Sequence, residues 1–467
     1  LWLWRDASPG RAAFLGFVFG VGFYGPLLEW TRYFGAVAIV PLVVLEASFV
    51  ALTGLIVALL ARRGMRSAWL TAAVWVVIEG VKDRVPFGGF TWGDLGVALH
   101  DLPPARALAS FGGLALVTFA VVACNALVLD AFLAGRARDP QLLRRAGAAL
   151  AVLLVATVVA GITRYEGKVT GHIRFALLQG HDQNRRLTAA EEANQYLTKE
   201  HMALARKLRG RYDLIVFPES SLDSDPTIDS RLRNQLVRVG EAHRAVVLAN
   251  TITDAPGGGV YNANVAYDPD GRLQGIYAKQ HLVPFGEYVP WRDELSFIGE
   301  LQQVPYDFEA GHSRRLFRAA GHRFATVICF ESAFGPLVRD FVRDGAEAIV
   351  VTTNNRSYRR SALAAQHLAF SQMRAAETGR PVLHASLSGI TGVVDADGDV
   401  RDTSKLFVNK ITTGTIATRT GETPYVRFGE WVLTASAVAC LVAAALGMRR
   451  ARRAPVESAE TEEAVRG

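Results

Sequence analysis

The chain predicts an α-helical transmembrane bundle joined to an α/β domain, on three observations. Half of its 467 residues are hydrophobic and the mean hydropathy is positive, which is unusual for a purely soluble enzyme. The apolar residues crowd into 12–163 and 430–447, whereas 164–428 has the mixture of an ordinary globular domain. Arginines cluster beside the hydrophobic runs rather than across the surface at large. A chain of this length accommodates two domains or more. The boundaries read as 1–163 for N-terminal transmembrane helices, 164–428 for the α/β domain, 429–448 for a last transmembrane helix, and 449–467 for a charged cytoplasmic tail expected to be disordered.

Five apolar segments precede the domain, at about 12–28, 35–60, 68–81, 107–133 and 145–163, and a sixth covers about 430–447. A spanning helix needs roughly 20 apolar residues. By that measure the first, second, fourth, fifth and sixth qualify, while the third is short and carries Glu79 near its end. The first residues, Leu-Trp-Leu-Trp-Arg, lack an initiator Met and a signal-peptide pattern, so leading spans are expected to be missing.

The formal charge of +7 reads as membrane topology, not nucleic-acid binding. Arg5 and Arg11 precede the first segment, Arg62, Arg63 and Arg66 follow the second, Arg136, Arg138, Arg144 and Arg145 follow the fourth, and Arg449, Arg450, Arg452 and Arg453 follow the last. If each segment spans once, all of these lie on one side. Cytoplasmic loops carry the excess of Lys and Arg, so the α/β domain is expected outside the cytoplasm. Trp30, Tyr33, Trp92 and Trp431 sit near span ends and read as an interfacial belt.

Within the domain, Ile173–Gly180 reads as a buried strand and 189–209 has helical spacing. A strand from Asp213 ends at Glu219, a helix covers 229–243, and another strand starts at Ala245. Asn264-Val-Ala-Tyr-Asp-Pro-Asp-Gly has the alternation and turn of a hairpin. Strand 324–328 leads to Cys329, strand 348–353 leads to Asn354, a helix covers about 361–379, and two strands flank Asp397-Gly398. Strands alternating with helices argue an α/β domain with reactive residues just past strand ends.

Three such ends carry chemistry. Cys329, in Val-Ile-Cys-Phe-Glu-Ser, is the only one of three cysteines outside an apolar stretch, where a cysteine packs as a small hydrophobe. To attack a carbonyl, its thiol must lose a proton to a base. Glu219, fixed in direction by Pro218, is a candidate base, since an apolar wall raises a carboxyl toward neutrality. Lys279 offers a fixed charge for an oxyanion. No histidine spacing resembles a zinc site, and no cofactor is implied.

With Leu-Val-Pro-Phe-Gly-Glu287-Tyr-Val-Pro, the Phe-Pro-Glu219, Lys279 and Cys329-Phe-Glu331 motifs resemble the Glu–Lys–Cys signatures of the nitrilase (carbon–nitrogen hydrolase) superfamily. Phe-Gly-Val-Gly-Phe-Tyr-Gly at 19–25, Trp75 with Glu79, Gly88-Gly-Phe-Thr-Trp92, Leu178-Gln-Gly180, Gln366-His367, Arg374 and Gly389-Ile-Thr-Gly extend the likeness to membrane-embedded apolipoprotein N-acyltransferases over nearly the whole chain. The resemblance implies an αββα sandwich, with Glu219 as general base, Lys279 as oxyanion stabiliser, Cys329 as nucleophile, and Glu287, Phe330 and Glu331 as supporting residues, the two carboxylates orienting base or lysine. It implies a phospholipid acyl donor, a Cys thioester, and transfer to the α-amine of a diacylated apolipoprotein within the lipid bilayer. The chain departs from the family's pattern in Phe330 where Tyr is frequent, in a missing Trp near Leu187 and Thr188, and in Ser357 where an aromatic is usual. These bear on donor preference and lid packing more than on the chemistry. A membrane-tethered nitrilase-like amidohydrolase and a catalytically silent membrane module are the rival readings.

Overall fold

The computed structural model describes residues 1–4, 6–165, 167–181, 183–185 and 187–466, the stretch 451–466 as backbone only. The membrane half comprises α1 (Pro9–Leu27), α2 (Ala36–Arg62), α3 (Ala68–Lys82), the short α4 (Pro103–Ala107), α5 (Ala109–Ala137) and α6 (Pro140–Ile162). The domain then runs β1 (Lys168–Gly180), α7 (Ala189–Ala193), α8 (Tyr196–Ala205), β2 (Leu214–Val216), α9 (Ser230–His243), β3 (Val246–Asp254), β4 (Val260–Tyr267) and β5 (Leu273–Ala278). It continues with β6 (Leu316–Ala319), β7 (His322–Ile328), α10 (Gly335–Arg343), β8 (Ala348–Thr353), α11 (Leu363–Thr378), β9 (Val382–Ser386), β10 (Gly392–Val394), β11 (Val400–Thr403), β12 (Asn409–Thr420) and α12 (Pro424–Phe428). Last comes α13 (Trp431–Arg466).

Among the described residues four helices are long and apolar enough to cross a membrane: α2, α5, α6 and the stretch Trp431–Arg450 of α13. That corrects the expected five. The first apolar segment does form a helix of 19 residues, but Arg11, Pro26 and several glycines dilute it. Two of them, Gly16 and Gly20, serve packing against α2 instead. A Cβ at Gly20 would lie 2.6 Å from Ala47 Cα, and one at Gly54 would lie 2.6 Å from Ala12 O, so α1 and α2 meet backbone to backbone, as small residues permit in membranes. The last helix runs on past its apolar stretch through Arg466.

The arginine-rich ends gather at one end of the bundle. Arg450 donates to Gly64 O at 3.4 Å and Arg66 pairs with Asp6 at 3.1 Å. Arg5 lies outside the described residues. At the other end the bundle meets the domain, where Arg84 pairs with Glu430 at 2.6 Å.

The domain is two six-stranded sheets, ordered β12-β1-β2-β3-β4-β5 and β11-β10-β9-β8-β7-β6. In each, three central strands run parallel (β1, β2, β3 and β7, β8, β9) and the outer ones antiparallel. The central strands are apolar on both faces, as a sheet covered twice requires. On β1, Phe175 and Leu177 join the core between the sheets, while Ala176 and Leu178 pack with Met202, Leu232 and Leu236 of α8 and α9. Phe341 of α10 and Phe370 of α11 cover the second sheet. Asn264 of β4 donates to Thr326 Oγ1 (2.6 Å) and Thr352 Oγ1 (3.0 Å), tying the sheets together across their interface. Helix 189–209 is broken in two, with Gln195 in the left-handed region at φ 52°.

Candidate functional site

The site forms where β2, β5, β7 and β8 end. Glu219 follows β2 by way of Phe217 and Pro218, Lys279 is the next residue after β5, Cys329 follows β7, and Asn354 follows β8. Parallel strands deliver their C-terminal ends to one edge of the sandwich, which is how residues far apart in sequence converge. All three residues of the expected triad are brought together here.

Lys279, 1% exposed, sits between two carboxylates: its Nζ is 3.7 Å from Glu219 Oε1 and 2.8 Å from Glu287 Oε2. Burial pulls the lysine toward neutrality, but Glu287 and Glu219 outweigh it and hold the ammonium above its ordinary range. Asn262 on β4 donates from one Nδ2 to both Glu219 (2.9 Å) and Glu287 (2.8 Å), and the Asn354 backbone N–H donates to the other Glu219 oxygen at 2.7 Å. Burial still raises Glu219 above the usual carboxylate range, against the opposing charge of Lys279. Cys329 is partly buried at φ 52°. Burial and the neighbouring Glu219 push its thiol up to about 12, so it rests as a neutral thiol beside a carboxylate of raised proton affinity and a fixed cation. Such a set can pass the thiol proton to Glu219 during attack on a carbonyl while Lys279 faces the charge that develops.

The other expected residues divide in two. Glu287 accepts from Val283 N–H at 2.8 Å as well as from Lys279, so it fixes the lysine to its own loop. Glu331, fully buried, directs its hydrogen bonds elsewhere. It accepts the backbone N–H groups of Ile328 (2.7 Å), Gln280 (2.6 Å) and His281 (3.2 Å) and the Tyr277 hydroxyl (2.8 Å). It thereby locks the residue before the cysteine to those after the lysine. Burial pushes it up to about 7 even though four donors favour its charge.

Phe330 faces the membrane half. It lies against Trp92 (centroids 6.0 Å apart, 16° between planes), Phe90 (6.1 Å) and Phe334 (4.9 Å). Trp30 and Trp92, expected in an interfacial belt, are buried instead, and both indoles donate to Gln366 Oε1, at 3.0 and 2.9 Å. Sequence reasoning gave no role to Asn262 and quoted His367 only as part of a motif. His367 Nε2 lies 3.0 Å from Cys329 O and 2.9 Å from Ser332 Oγ, and Nδ1 lies 3.2 Å from both Thr353 Oγ1 and Asn355 Nδ2. Burial brings it down to about 4, so a neutral imidazole holds the carbonyl of the strained cysteine. The adjacency of His367 to Gln366 was the signal available.

Residues 1–127 match the family model described as the apolipoprotein N-acyltransferase N-terminal domain, and residues 174–425 match that of the carbon–nitrogen hydrolases. The chain is 32% identical to the apolipoprotein N-acyltransferase of Methylococcus capsulatus over 92% of its length and 86% of the relative's. With that of Geobacter metallireducens it shares 30% over 95% of this chain and 88% of the relative. With a carbon–nitrogen hydrolase domain behind an N-acyltransferase membrane domain, this chain is an acyltransferase and belongs to the apolipoprotein N-acyltransferase family.

Proposed function

We infer that the protein N-acylates the S-diacylglyceryl cysteine at the N-terminus of apolipoproteins, taking the acyl chain from a phospholipid through a thioester on Cys329. In the first half-reaction Glu219 accepts the thiol proton as Sγ attacks the ester carbonyl, and returns it to the glyceryl oxygen that leaves. In the second, the α-amine attacks the thioester, Glu219 takes its proton, and the thiol is regenerated. Lys279 stabilises the oxyanion in both. One observation carries the reading: the Cys329 thiol lies beside the buried Glu219 and Lys279, and its neighbour Phe330 packs against Trp92 of a membrane bundle. Both substrates are lipids, and a centre held against the bilayer spares the extraction of acyl chains into water, worth about 0.8 kcal/mol per CH₂. The positive-inside rule supports placing the catalytic domain on the extracytoplasmic side of the cell membrane.

The test is mass spectrometry of the purified protein after incubation with phospholipid alone. A hydroxylamine-labile acyl adduct on Cys329, absent from Cys329→Ser and discharged by a diacylated lipopeptide, is the expected result. Free fatty acid released equally with and without the lipopeptide would replace transfer by hydrolysis.

A further inference from the structure

Lys82 ends α3 in the membrane half and is 1% exposed. A lysine there, away from water, demands partners. It has two carboxylates, Asp94 at 2.8 Å and Asp83 at 3.3 Å, of which Asp94 is itself 5% exposed. Its ammonium donates to two backbone carbonyls, Phe90 O at 2.7 Å and Trp92 O at 3.4 Å. Those are two residues whose rings lie against Phe330, the neighbour of the nucleophile, Trp92 stacked and Phe90 tilted. Trp92 also packs edge-on against His367 (5.8 Å) and Phe370 (4.6 Å). Its indole N–H reaches Gln366, and His367 in turn contacts Cys329 O.

A continuous set of contacts therefore runs from the Lys82–Asp94 pair to the backbone of the cysteine. The loop it pins contains Gly88, Gly89 and Gly93, all with positive φ, near 90°, a backbone with wide conformational freedom; the Phe90 N–H donates to Lys82 O at 3.1 Å, so Lys82 holds Phe90 through both its carbonyl and its ammonium. From these contacts we propose that Lys82 is a positioning residue for acyl transfer. The buried Lys82–Asp94 pair sets the Phe90–Trp92 aromatic clamp that holds the Cys329–Phe330 turn in its reactive geometry. The proposal rests on the reading of Cys329 as nucleophile.

The experiment follows acyl-adduct formation on Cys329 by rapid quench and mass spectrometry, using the full chain in phospholipid–detergent micelles. Lys82→Met is expected to form the adduct about 10- to 100-fold more slowly, the penalty of a small misplacement of reacting groups, with KM for phospholipid within about twofold of wild type. A wild-type rate in folded Lys82→Met overturns the proposal. Where Lys82→Met does not fold, Lys82→Met/Asp94→Leu decides, because a buried pair replaced by apolar residues frequently keeps its stability. That double variant is expected to stay slow, and recovery of the full rate with the fold would show that the pair serves folding alone. Failure of the cysteine reading is separately visible, as an adduct that persists in Cys329→Ser.

Discussion

At the scale of single residues, the decisive matter is where the protons reside before the reaction. Burial holds the Cys329 thiol at about 12 and lifts Glu219 above its ordinary range, whereas many cysteine nucleophiles are stored as thiolates. The acylation rate should therefore follow deprotonation of Glu219, not of the thiol. While Glu219 is protonated the rate is low; it rises with pH as Glu219, held above the usual carboxylate range, ionises, and then levels off. In Glu219→Gln this acidic limb should vanish, with the rate at neutral pH lower by about 10²–10⁴, the usual contribution of a positioned base. Single-turnover acylation measured from pH 4 to 9 checks both, and an unchanged limb in the Gln variant would assign the base elsewhere. A companion expectation is that iodoacetamide alkylates Cys329 slowly at pH 7, since the reactive thiolate is scarce there.

At the scale of elements, two joints decide whether these residues meet. Glu331 is the first, a single carboxylate accepting donors from both the nucleophile turn and the lysine loop. Glu331→Gln puts an amide N–H₂ against one of those N–H groups and should lower stability by about 1–3 kcal/mol, the cost of an unsatisfied buried donor. Thermal unfolding in detergent reads this loss, and acylation should slow with it. The second joint is the α1–α2 contact. Gly20→Leu must push a side chain into Ala47 Cα, 2.6 Å from where its Cβ would be, and should cost about 1–3 kcal/mol as overpacking does; equal unfolding of wild type and variant would mean that α1 is free to move away. The sequence made the strands leading to Glu219 and Cys329 legible because each is a short, doubly apolar run ending in one polar residue. It hid β12, where Thr, Lys and Arg carry a strand whose pairing with β1 alone makes it a strand. It also hid Asn262 and the role, though not the motif, of His367, which matter through what the fold brings beside them, and it placed Trp30 and Trp92 at a lipid interface because nothing local reveals that Gln366 receives both.

For the whole molecule, the membrane half and the domain act as one body because buried polar groups cross between them. The kink of α5 at Gly112 and Gly113 frees the Leu114 N–H, which Glu377 of α11 accepts at 2.9 Å, while Arg374 neutralises that carboxylate at 2.9 Å. Arg106 likewise reaches the Asp397 carbonyl at 2.8 Å and pairs with Asp399. Since the bundle meets the domain at one end and gathers its arginines at the other, one measurement fixes the orientation of the catalytic centre. Arg62, Arg63, Arg66, Arg449 and Arg450 should face the cytoplasm, where such clusters are retained, and the turn between β4 and β5 should face outward. Asp270 in that turn and Ser67 before α3 are both exposed, so each can carry a reporter cysteine in a background where Cys124, Cys329 and Cys440 are replaced by Ser. A membrane-impermeant maleimide should label Asp270→Cys in intact cells whose outer membrane has been made porous, and label Ser67→Cys only after lysis. The reverse pattern would put Glu219, Lys279 and Cys329 on the cytoplasmic side. The charge asymmetry would then have to be explained by something other than insertion.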